Sequence, residues 1–408
     1  MIPKKGISLL FGAILGWSAP LLAETRGTIH LDQDGGNLPG EVWQAQSYNR
    51  VTDMALAGQT LWVGTNAGLL KYNLATKKWA VVLDSDKKFP AYIHQMIYAA
   101  PFLWISSNKG LHRLDPQTGE WVTWDAMDQL PAGEVISLAV SRDGSKSDYD
   151  LWFSYRNPFD LTQFSLYGKK IKHWKIPKGE DNPYLAYSYP SLFWDEGILW
   201  ILNGNGLRSL DPHTGEFKKW DVNSSVEYSP AYYGSENTQW TADKKNIYLG
   251  TGLGSLGFLY KFDKNKKKWE KTVNSFSFPV AKKDGLLWVG ASYDLTGASR
   301  FVLRHLKDYE KDWKNDFRYN GSQVITKIIP RGKDFWLGTY QGIVHWKPGS
   351  NFFTRYKMEA QAVKAQPNDP NARVFSFQFS KEKIALEKDP EGGSPSISDE
   401  WNTRPSIK

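Results

Sequence analysis

The chain repeats one pattern of apolar and polar positions almost from end to end. A short apolar strand with an aromatic residue in its second position is followed by a turn of small residues, and a second apolar strand then ends before Asn or Asp. Residues 61–72 (LWVGTNAGLLKY) are the clearest copy. The aromatic residue recurs at intervals of 40 to 48 residues, as Trp62, Trp104, Trp152, Trp200, Tyr248, Trp288 and Trp336. A repeat of this length with several strands per unit predicts a solenoid or a propeller.

Each repeat carries four strand signals. In the first repeat, residues 51–57, 61–64, 69–73 and 79–83 read as strands, separated by turns that contain Gly, Asn and Thr. Four antiparallel strands of this kind make one propeller blade. An aromatic content of 14% and 35 glycines also favour many short strands over helices. We therefore predict an all-β chain in which residues 24–388 form a single β-propeller of four-stranded antiparallel blades.

The number of blades depends on the two ends of the chain. Seven repeats are plain, and residues 374–379 and 384–386, separated by the polar residues 381–383, resemble the first half of another. Residues 27–32 and 41–48 resemble its second half. We predict eight blades, the last closed by both termini, because closure removes exposed sheet edges. Seven blades with ordinary flanking strands are the alternative. Residues 358–366 are predicted to form a helical turn, and residues 389–408 a disordered tail.

The first 23 residues have the pattern of a signal peptide. Lys4 and Lys5 precede a short apolar run at residues 7–17, and residues 21–23 offer a cleavage site before Glu24. No later segment is long and apolar enough for a membrane-spanning helix. The chain has no cysteine, so it cannot form disulfides. These features predict a periplasmic or secreted protein of bacterial type.

The charge does not indicate a nucleic-acid partner. The net charge of +8 is mild for 408 residues, and the lysines lie in runs such as 266–268 that read as solvated turns. We therefore expect no nucleic-acid partner, no membrane span after cleavage of the signal peptide, and a monomer.

Three of the repeats resemble a known family. LWVGTNAGLLKYN from Leu61, LWISSNKGLHRLD from Leu103 and FWLGTYQGIVHW from Phe335 resemble the two-component regulator propeller repeat. The resemblance covers residues 51–356, and repeats three, five and six depart from it in their loops. It implies a β-propeller, which in many family members is the periplasmic sensor of a signalling receptor. We expect a stand-alone exported propeller here, and the resemblance assigns it no catalytic residues.

The local motifs point to structure and not to catalysis. Residues 115–120 and 211–216 read as hairpin turns with Asp, Pro and Gly in their usual places. Residues 32–37 resemble the start of a calcium loop, but the twelfth position is Trp43 and not the required Glu. The seven histidines lack zinc-site spacing, and we expect His112 and His345 on the surface of strands. We predict no catalytic residue, no metal and no cofactor.

The candidate binding residues lie in loops. Repeats three, five and six have enlarged loops, mostly between their second and third strands, and these share a face with the connections between blades. Tyrosine offers apolar area and a hydroxyl for a sugar or peptide, and arginine can bind carboxylates. The alternative is that several of these side chains only pack the longer loops. The candidates are Tyr155, Arg156, Asp160, Tyr184, Tyr187, Tyr189, Tyr232, Tyr233, Tyr293, Asp294, Arg300 and Tyr340.

Two functions fit this sequence. The first is a binding or protein-interaction module for a glycan, a peptide or an envelope protein, which the elaborated loops favour. The alternative is an enzyme, a lyase or hydrolase that acts on a polysaccharide or cell-envelope substrate from the same face, since catalytic residues can be assembled from different blades.

Overall fold

The fold is built from antiparallel β-strands. The computed structural model describes residues 27–30, 48–82, 92–124, 134–142, 149–156, 160–165, 170–177, 190–203, 206–220, 238–253, 256–273, 277–293, 300–307, 314–320, 324–363 and 372–386. These residues form thirty strands in seven antiparallel sheets, which confirms the all-β class. The predicted signal peptide, the predicted tail and the sequence that resembles a calcium loop lie outside the described residues.

The first strand of the chain, β1 (Gly27–His30), precedes three consecutive four-stranded sheets. The first sheet contains β2 (Val51–Ala57), β3 (Thr60–Thr65), β4 (Gly68–Asn73) and β5 (Lys78–Val82). The second contains β6 (Ile93–Ala99), β7 (Phe102–Ser107), β8 (Gly110–Leu114) and β9 (Trp121–Trp124). The third contains β10 (Val135–Arg142), β11 (Tyr149–Tyr155), β12 (Asp160–Ser165) and β13 (Lys170–Lys175).

Three further four-stranded sheets follow in the same order. The fourth sheet contains β14 (Ser191–Asp195), β15 (Ile198–Asn203), β16 (Gly206–Asp211) and β17 (Glu216–Trp220). The fifth contains β18 (Thr238–Ala242), β19 (Asn246–Leu253), β20 (Leu256–Asp263) and β21 (Lys268–Val273). The sixth contains β22 (Ser277–Lys283), β23 (Leu286–Tyr293), β24 (Arg300–Lys307) and β25 (Lys314–Asn320). We call the first strand of each sheet its inner strand.

The seventh sheet is larger than the others. It contains β26 (Ile325–Arg331), β27 (Asp334–Thr339), β28 (Gly342–Trp346), β29 (Phe352–Val363) and β30 (Ala372–Ala385). β30 pairs with β29 along its whole length, and β1 pairs with the start of β30 at the outer edge. The two terminal segments are thus added to the seventh sheet and do not form a sheet of their own.

This arrangement of the described strands differs from the predicted eighth blade, in which the two ends form a sheet of their own. The polar residues 381–383, interpreted as a turn between two strands, lie inside the single strand β30. They are accommodated there because Glu382 accepts hydrogen bonds from Nε and Nη2 of Arg355 on β29, at 2.9 and 2.6 Å. The predicted helical turn at residues 358–366 is also wrong, since residues 358–363 continue β29.

The hydrophobic core lies between neighbouring sheets. Each cluster of buried side chains joins one sheet to the next; one, for example, combines Trp62 of the first sheet with Ile105 of the second. Another combines Val51 of the first sheet with Trp336 of the seventh. The repeated aromatic residues are between 0% and 5% exposed, which confirms their prediction as core: Trp62, Trp104, Trp152, Trp200, Tyr248, Trp288 and Trp336.

The glycine of the repeated LWVGT sequence lets neighbouring sheets approach. A Cβ atom on Gly64 would lie 2.6 Å from Cγ2 of Ile93, the first residue of the next inner strand. A Cβ atom on Gly338 would lie 2.7 Å from Cγ1 of Val51 in the same way. The second sheet has Ser106 in this position, and its hydroxyl donates to the carbonyl oxygen of Ile136 at 3.0 Å. The small residue is therefore needed for packing between sheets.

Candidate functional site

One face of the sheets carries the turns between the second and third strands, and we call it the upper face. In three sheets the turn is tied to the residue that precedes the inner strand. The backbone N–H groups of Asn66, Asn108 and Arg156 donate to the carbonyl oxygens of Arg50, Tyr92 and Glu134, at 3.2, 3.2 and 3.0 Å. Together with Tyr340, the corresponding turn residue of the seventh sheet, these residues form what we call the upper rim: Arg50, Asn66, Tyr92, Asn108, Glu134, Arg156 and Tyr340.

A β-bulge shapes the upper end of several inner strands. The register shifts after the first residue of β2, β6, β10 and β26. Such a bulge adds an unpaired residue and redirects its side chain. In β6 the extra residue is His94, whose side chain is 5% exposed. The bulge therefore places an imidazole just below the upper rim.

Three titratable side chains from the second and third sheets meet at this point. Arg156 Nη1 lies 3.1 Å from Glu134 Oε2 and forms an ion pair with it. Nε2 of His94 lies 3.7 Å from the same oxygen, which is longer than a hydrogen bond. Burial, and then the positive charge of Arg156, lower the pKa of His94 to about 4. His94 is therefore neutral at pH 7, and Glu134 is paired with Arg156.

Aromatic rings extend the rim on both sides of this cluster. The ring of Tyr92 packs against that of His94, with centroids 4.7 Å apart. The guanidinium carbon of Arg50 lies 4.5 Å from the centroid of the Tyr340 ring, which joins the first sheet to the seventh. Side chains from the seventh, first, second and third sheets thus contribute charge, aromatic area and hydrogen-bonding groups to the rim.

The structure places Tyr155 in the core and not on the upper rim. Its side chain is fully buried and its hydroxyl is hydrogen-bonded to Oγ1 of Thr162 at 2.9 Å. Burial raises the pKa of the Tyr155 hydroxyl above its usual value. Because Tyr155 is the last residue of β11, its side chain still points into the interface between sheets. Tyr155 is therefore a packing residue, the alternative that the sequence left open.

The other predicted residues fall into four groups. Arg156 is about half exposed and Tyr340 is half-buried, and both lie on the upper rim. Asp160 is half-buried at the start of β12. The backbones of Tyr293 and Arg300 pair across the end of β23 and the start of β24, also at the upper face. The remaining candidates lie outside the described residues: Tyr184, Tyr187, Tyr189, Tyr232, Tyr233 and Asp294.

Sequence reasoning missed most of the upper rim. Arg50, Tyr92 and Glu134 each stand one residue before an inner strand, and this shared position was the available signal. His94 carried no local signal, because its neighbours Glu134 and Arg156 belong to other parts of the chain. The structure brings these residues together only through the packing of the second sheet against the third.

His112 differs from its prediction as a surface residue. It is 2% exposed, and it forms hydrogen bonds through Nε2 with Ser107 at 2.7 Å and through Nδ1 with Thr123 at 2.9 Å. His345 is half-buried beside Asp334. Among the residues that the structure describes, no group of three or more His, Cys, Asp or Glu is placed to hold a metal ion. The two Asp-Pro turns are structural as predicted, with Asp115 accepting from the backbone of Gln117.

Comparison with solved structures agrees with this architecture. The extracellular domain of the putative one component system BT4673 from B. thetaiotaomicron superposes with a TM-score of 0.55 and 15% sequence identity. The match covers 76% of this chain and 44% of that chain. This chain has a β-propeller repeat fold. At this identity the likeness shows the fold alone, and the propeller spans less than half of the BT4673 chain.

Two further solved structures are similar to this chain. The extracellular domain of the putative hybrid two component system BT4673 gives a TM-score of 0.55 at 14% identity, covering 82% of this chain and 46% of that one. The Pan2 WD40 domain of Neurospora crassa gives 0.49 at 12% identity, over 74% and 90% of the two chains. No family model and no curated protein matches the sequence. In the described part of the propeller, no helix is long and apolar enough to cross a membrane.

Proposed function

We propose that this chain is an exported propeller that recognises a glycan, a peptide or an envelope protein at its upper rim. The observation that carries the proposal is the contrast between backbone and side chains there. The same backbone hydrogen bond recurs from Asn66, Asn108 and Arg156, while the residues that accept it, Arg50, Tyr92 and Glu134, differ in their side chains from sheet to sheet. A constant frame with varied charged and aromatic groups is the usual arrangement of a recognition surface.

The proposal includes a ring of seven blades. Each inner strand contacts the next, and β26 contacts β2. The core cluster that joins Trp336 to Val51 supports closure between the seventh sheet and the first. In such a ring the upper rim surrounds one end of the central channel. The predicted signal peptide supports a periplasmic or secreted location, and the two BT4673 structures are themselves extracellular domains.

Binding at the upper rim is tested with a double variant. Arg156→Ala together with Tyr340→Ala removes two exposed or half-buried rim side chains without touching the core. The matched control is Lys245→Ala with Lys333→Ala, two exposed lysines in turns of the opposite face. Purified protein carrying each pair is used to capture partners from envelope extracts and to probe glycan and peptide arrays. The rim variant should bind its ligand at least tenfold more weakly than the control. Equal binding by both would show that the upper rim is not the binding site.

A polysaccharide lyase or hydrolase is the second candidate. The observation that favours it is the meeting of a neutral imidazole, a carboxylate and a guanidinium at His94, Glu134 and Arg156. A neutral imidazole can accept a proton, and arginine can stabilise an anion. The burial of His94 favours recognition over catalysis. Turnover of a cell-envelope polysaccharide that is abolished by His94→Gln would favour the enzyme instead.

A further inference from the structure

One position beside the repeated aromatic residue differs in the fourth sheet. In every sheet the aromatic residue on the second strand pairs with a residue on the third strand. That partner is a long or ring-bearing side chain in six sheets, and in the fourth sheet it is Ser209, opposite Trp200. The six other partners are Lys71, Arg113, Gln163, Lys261, His305 and His345.

Three of the six long partners lie against the aromatic ring beside them. The imidazole of His345 stacks on Trp336 with centroids 4.4 Å apart. The His305 ring packs against Trp288 at 5.1 Å. The Lys71 ammonium lies 6.0 Å from the centroid of Trp62. A polar or cationic side chain therefore lies over the aromatic residue in these three sheets. Ser209 is shorter, and its hydroxyl accepts the indole N–H of Trp220 at 2.8 Å.

In the second sheet the partner is an arginine, and its guanidinium packs on two other aromatic rings. The guanidinium carbon of Arg113 lies 4.4 Å from the centroid of Phe102 and 5.8 Å from that of Trp124. Arg113 Nη2 also lies 3.6 Å from Glu120 Oε1. A guanidinium is thus held between two aromatic rings and a carboxylate, through cation–π contacts and an ion pair.

The fourth sheet keeps part of the surroundings of this guanidinium without the arginine, although Lys218 pairs with Ser209 where Val122 pairs with Arg113. By strand register, Ile198 and Trp220 correspond to Phe102 and Trp124. Glu216 corresponds to Glu120, because the sequences LDPQTGE and LDPHTGE align residue for residue. Ile198, Trp200, Ser209, Glu216 and Trp220 all line a cleft of about 350 Å³ between the fourth and fifth sheets. This volume is within the range of small-ligand sites.

Four carboxylates and three lysines line the cleft. One of the carboxylates, Asp211, accepts the backbone N–H groups of His213 and Thr214 at 2.9 and 3.4 Å. Lys264 is held by Asp195 and Glu196, at 2.7 and 2.9 Å. The Lys218 ammonium lies 3.9 Å from the centroid of Trp220, and the cleft is open with Lys218 in that position. Glu216 is exposed and forms no ion pair with the described residues, in contrast to Glu120 with Arg113.

We propose that the cleft between the fourth and fifth sheets binds a guanidinium group, in the place that Arg113 fills in the second sheet. Glu216 would pair with the guanidinium, and Ile198 and Trp220 would pack on its two sides. The guanidinium can belong to an arginine of a partner peptide or to a small arginine-like molecule. This site is on the face opposite the upper rim, so it is independent of the function proposed above.

Titration with small probes tests the site in the full chain. The probes are L-arginine, the peptide Gly-Arg-Gly, L-lysine and L-citrulline, and binding is followed by calorimetry and by the indole N–H signal of Trp220, assigned with Trp220→Phe. We expect an arginine probe to bind with a Kd on the order of 1 mM, and citrulline, which is isosteric but neutral, at least tenfold more weakly. Binding of the peptide alone identifies a peptide ligand, and equal binding of free arginine identifies a small molecule. No binding at about 10 mM, or equal binding of citrulline, would overturn the proposal.

Two reciprocal variants separate the site from the stability of the fold. Ser209→Arg supplies the missing side chain internally and should abolish binding while the protein stays folded, because the second sheet tolerates arginine in this place. Arg113→Ser opens the corresponding space in the second sheet and should raise the stoichiometry from one to two. Glu216→Gln should weaken binding about tenfold, as expected for loss of a charge-assisted contact. Unchanged binding in Ser209→Arg, with unchanged circular dichroism, would contradict the site.

Discussion

The carboxylate of Asp53 on β2 lies 2.7 Å from the ammonium of Lys327 on β26 and joins the first sheet to the seventh. Its other oxygen accepts the backbone N–H of Met96 on β6, also at 2.7 Å. Gln95 takes the same place in the second sheet and accepts the N–H of Leu138 at 2.8 Å. The third residue of an inner strand therefore links one sheet to the next, and Asp53 links three sheets because Lys327 reaches it from the other side.

Removing the Asp53 side chain should destabilise the fold strongly. Asp53→Ala leaves the Met96 N–H and the Lys327 ammonium without their partner in a site where Asp53 is 4% exposed. The expected cost is about 3 kcal/mol, the lower end for a broken buried pair, because Lys327 keeps some exposure. Asp53→Asn can still accept from Met96 and should cost less. Urea unfolding measures both, and Lys266→Ala, in an exposed surface pair, should leave the midpoint unchanged. An unchanged urea midpoint for Asp53→Ala would contradict this role.

A buried hydrogen bond between the second and third sheets predicts a second effect. The indole N–H of Trp104 donates to the hydroxyl of Tyr149 at 2.8 Å, and that hydroxyl donates to the carbonyl oxygen of Ala99 at 3.0 Å. Tyr149→Phe leaves both Trp104 and Ala99 without this partner, at an expected cost of about 1–3 kcal/mol. Thermal unfolding compares it with Tyr98→Phe, since the half-buried Tyr98 makes no hydroxyl hydrogen bond with the described residues. Equal melting temperatures for the two variants would refute this account.

The scaffold was predictable because its signals are local and repeated. Each aromatic residue of the pattern, such as Trp62 or Trp336, is followed at a fixed distance by its turn and third strand, so the sheets follow from the sequence. The end of the chain does not carry a repeated copy of the pattern. Alternating apolar and polar residues around Glu382 fit either a turn or a strand, and only the pairing of Glu382 with Arg355 decides between them.

The candidate site was only partly predictable for a different reason. Arg156 and Tyr340 are in turns, and both keep part of their side chain exposed, as expected for turn residues. Tyr155 precedes the turn by one residue and so points to the opposite side of the strand, into the core. His94 and Glu134 are close only because two sheets pack together, and no sequence spacing records that contact.

The close approach at Gly64 predicts that alanine is not tolerated there. A Cβ atom would lie 2.6 Å from Cγ2 of Ile93, so Gly64→Ala forces the first and second sheets apart, at an expected cost of about 1–3 kcal/mol. The control is Gly58→Asn, because Gly58 has φ of 57° with nothing within 4 Å, and asparagine adopts this conformation readily. Urea unfolding of Gly64→Ala, Ile93→Ala and the double variant should give less-than-additive losses. Additive losses would show that the two residues do not interact.

The buried His112 predicts loss of stability as the pH falls. Burial lowers the pKa of His112 to about 4, whereas an unfolded histidine has a pKa of about 6.5. Between these values the unfolded chain binds more protons than the folded one, so the stability that comes from neutral His112 is present above pH 6.5 and is lost as the pH falls towards 4. The slope from one such group reaches about 1.4 kcal/mol per pH unit.

The measurement is the urea midpoint between pH 7 and pH 4 for the parent and for His112→Leu. Leucine is compatible with this position, because Leu70 pairs with Val63 there in the first sheet as His112 pairs with Ile105 in the second. The variant should lose the share of the pH dependence that belongs to His112, while carboxylates and His94 contribute equally to both proteins. Thr123→Val is the control, since it removes the hydrogen bond to Nδ1 without removing a titratable group. Thr123→Val should lower the stability but keep the same change of stability with pH. If His112→Leu also kept the pH dependence of the parent, that dependence would belong to other residues.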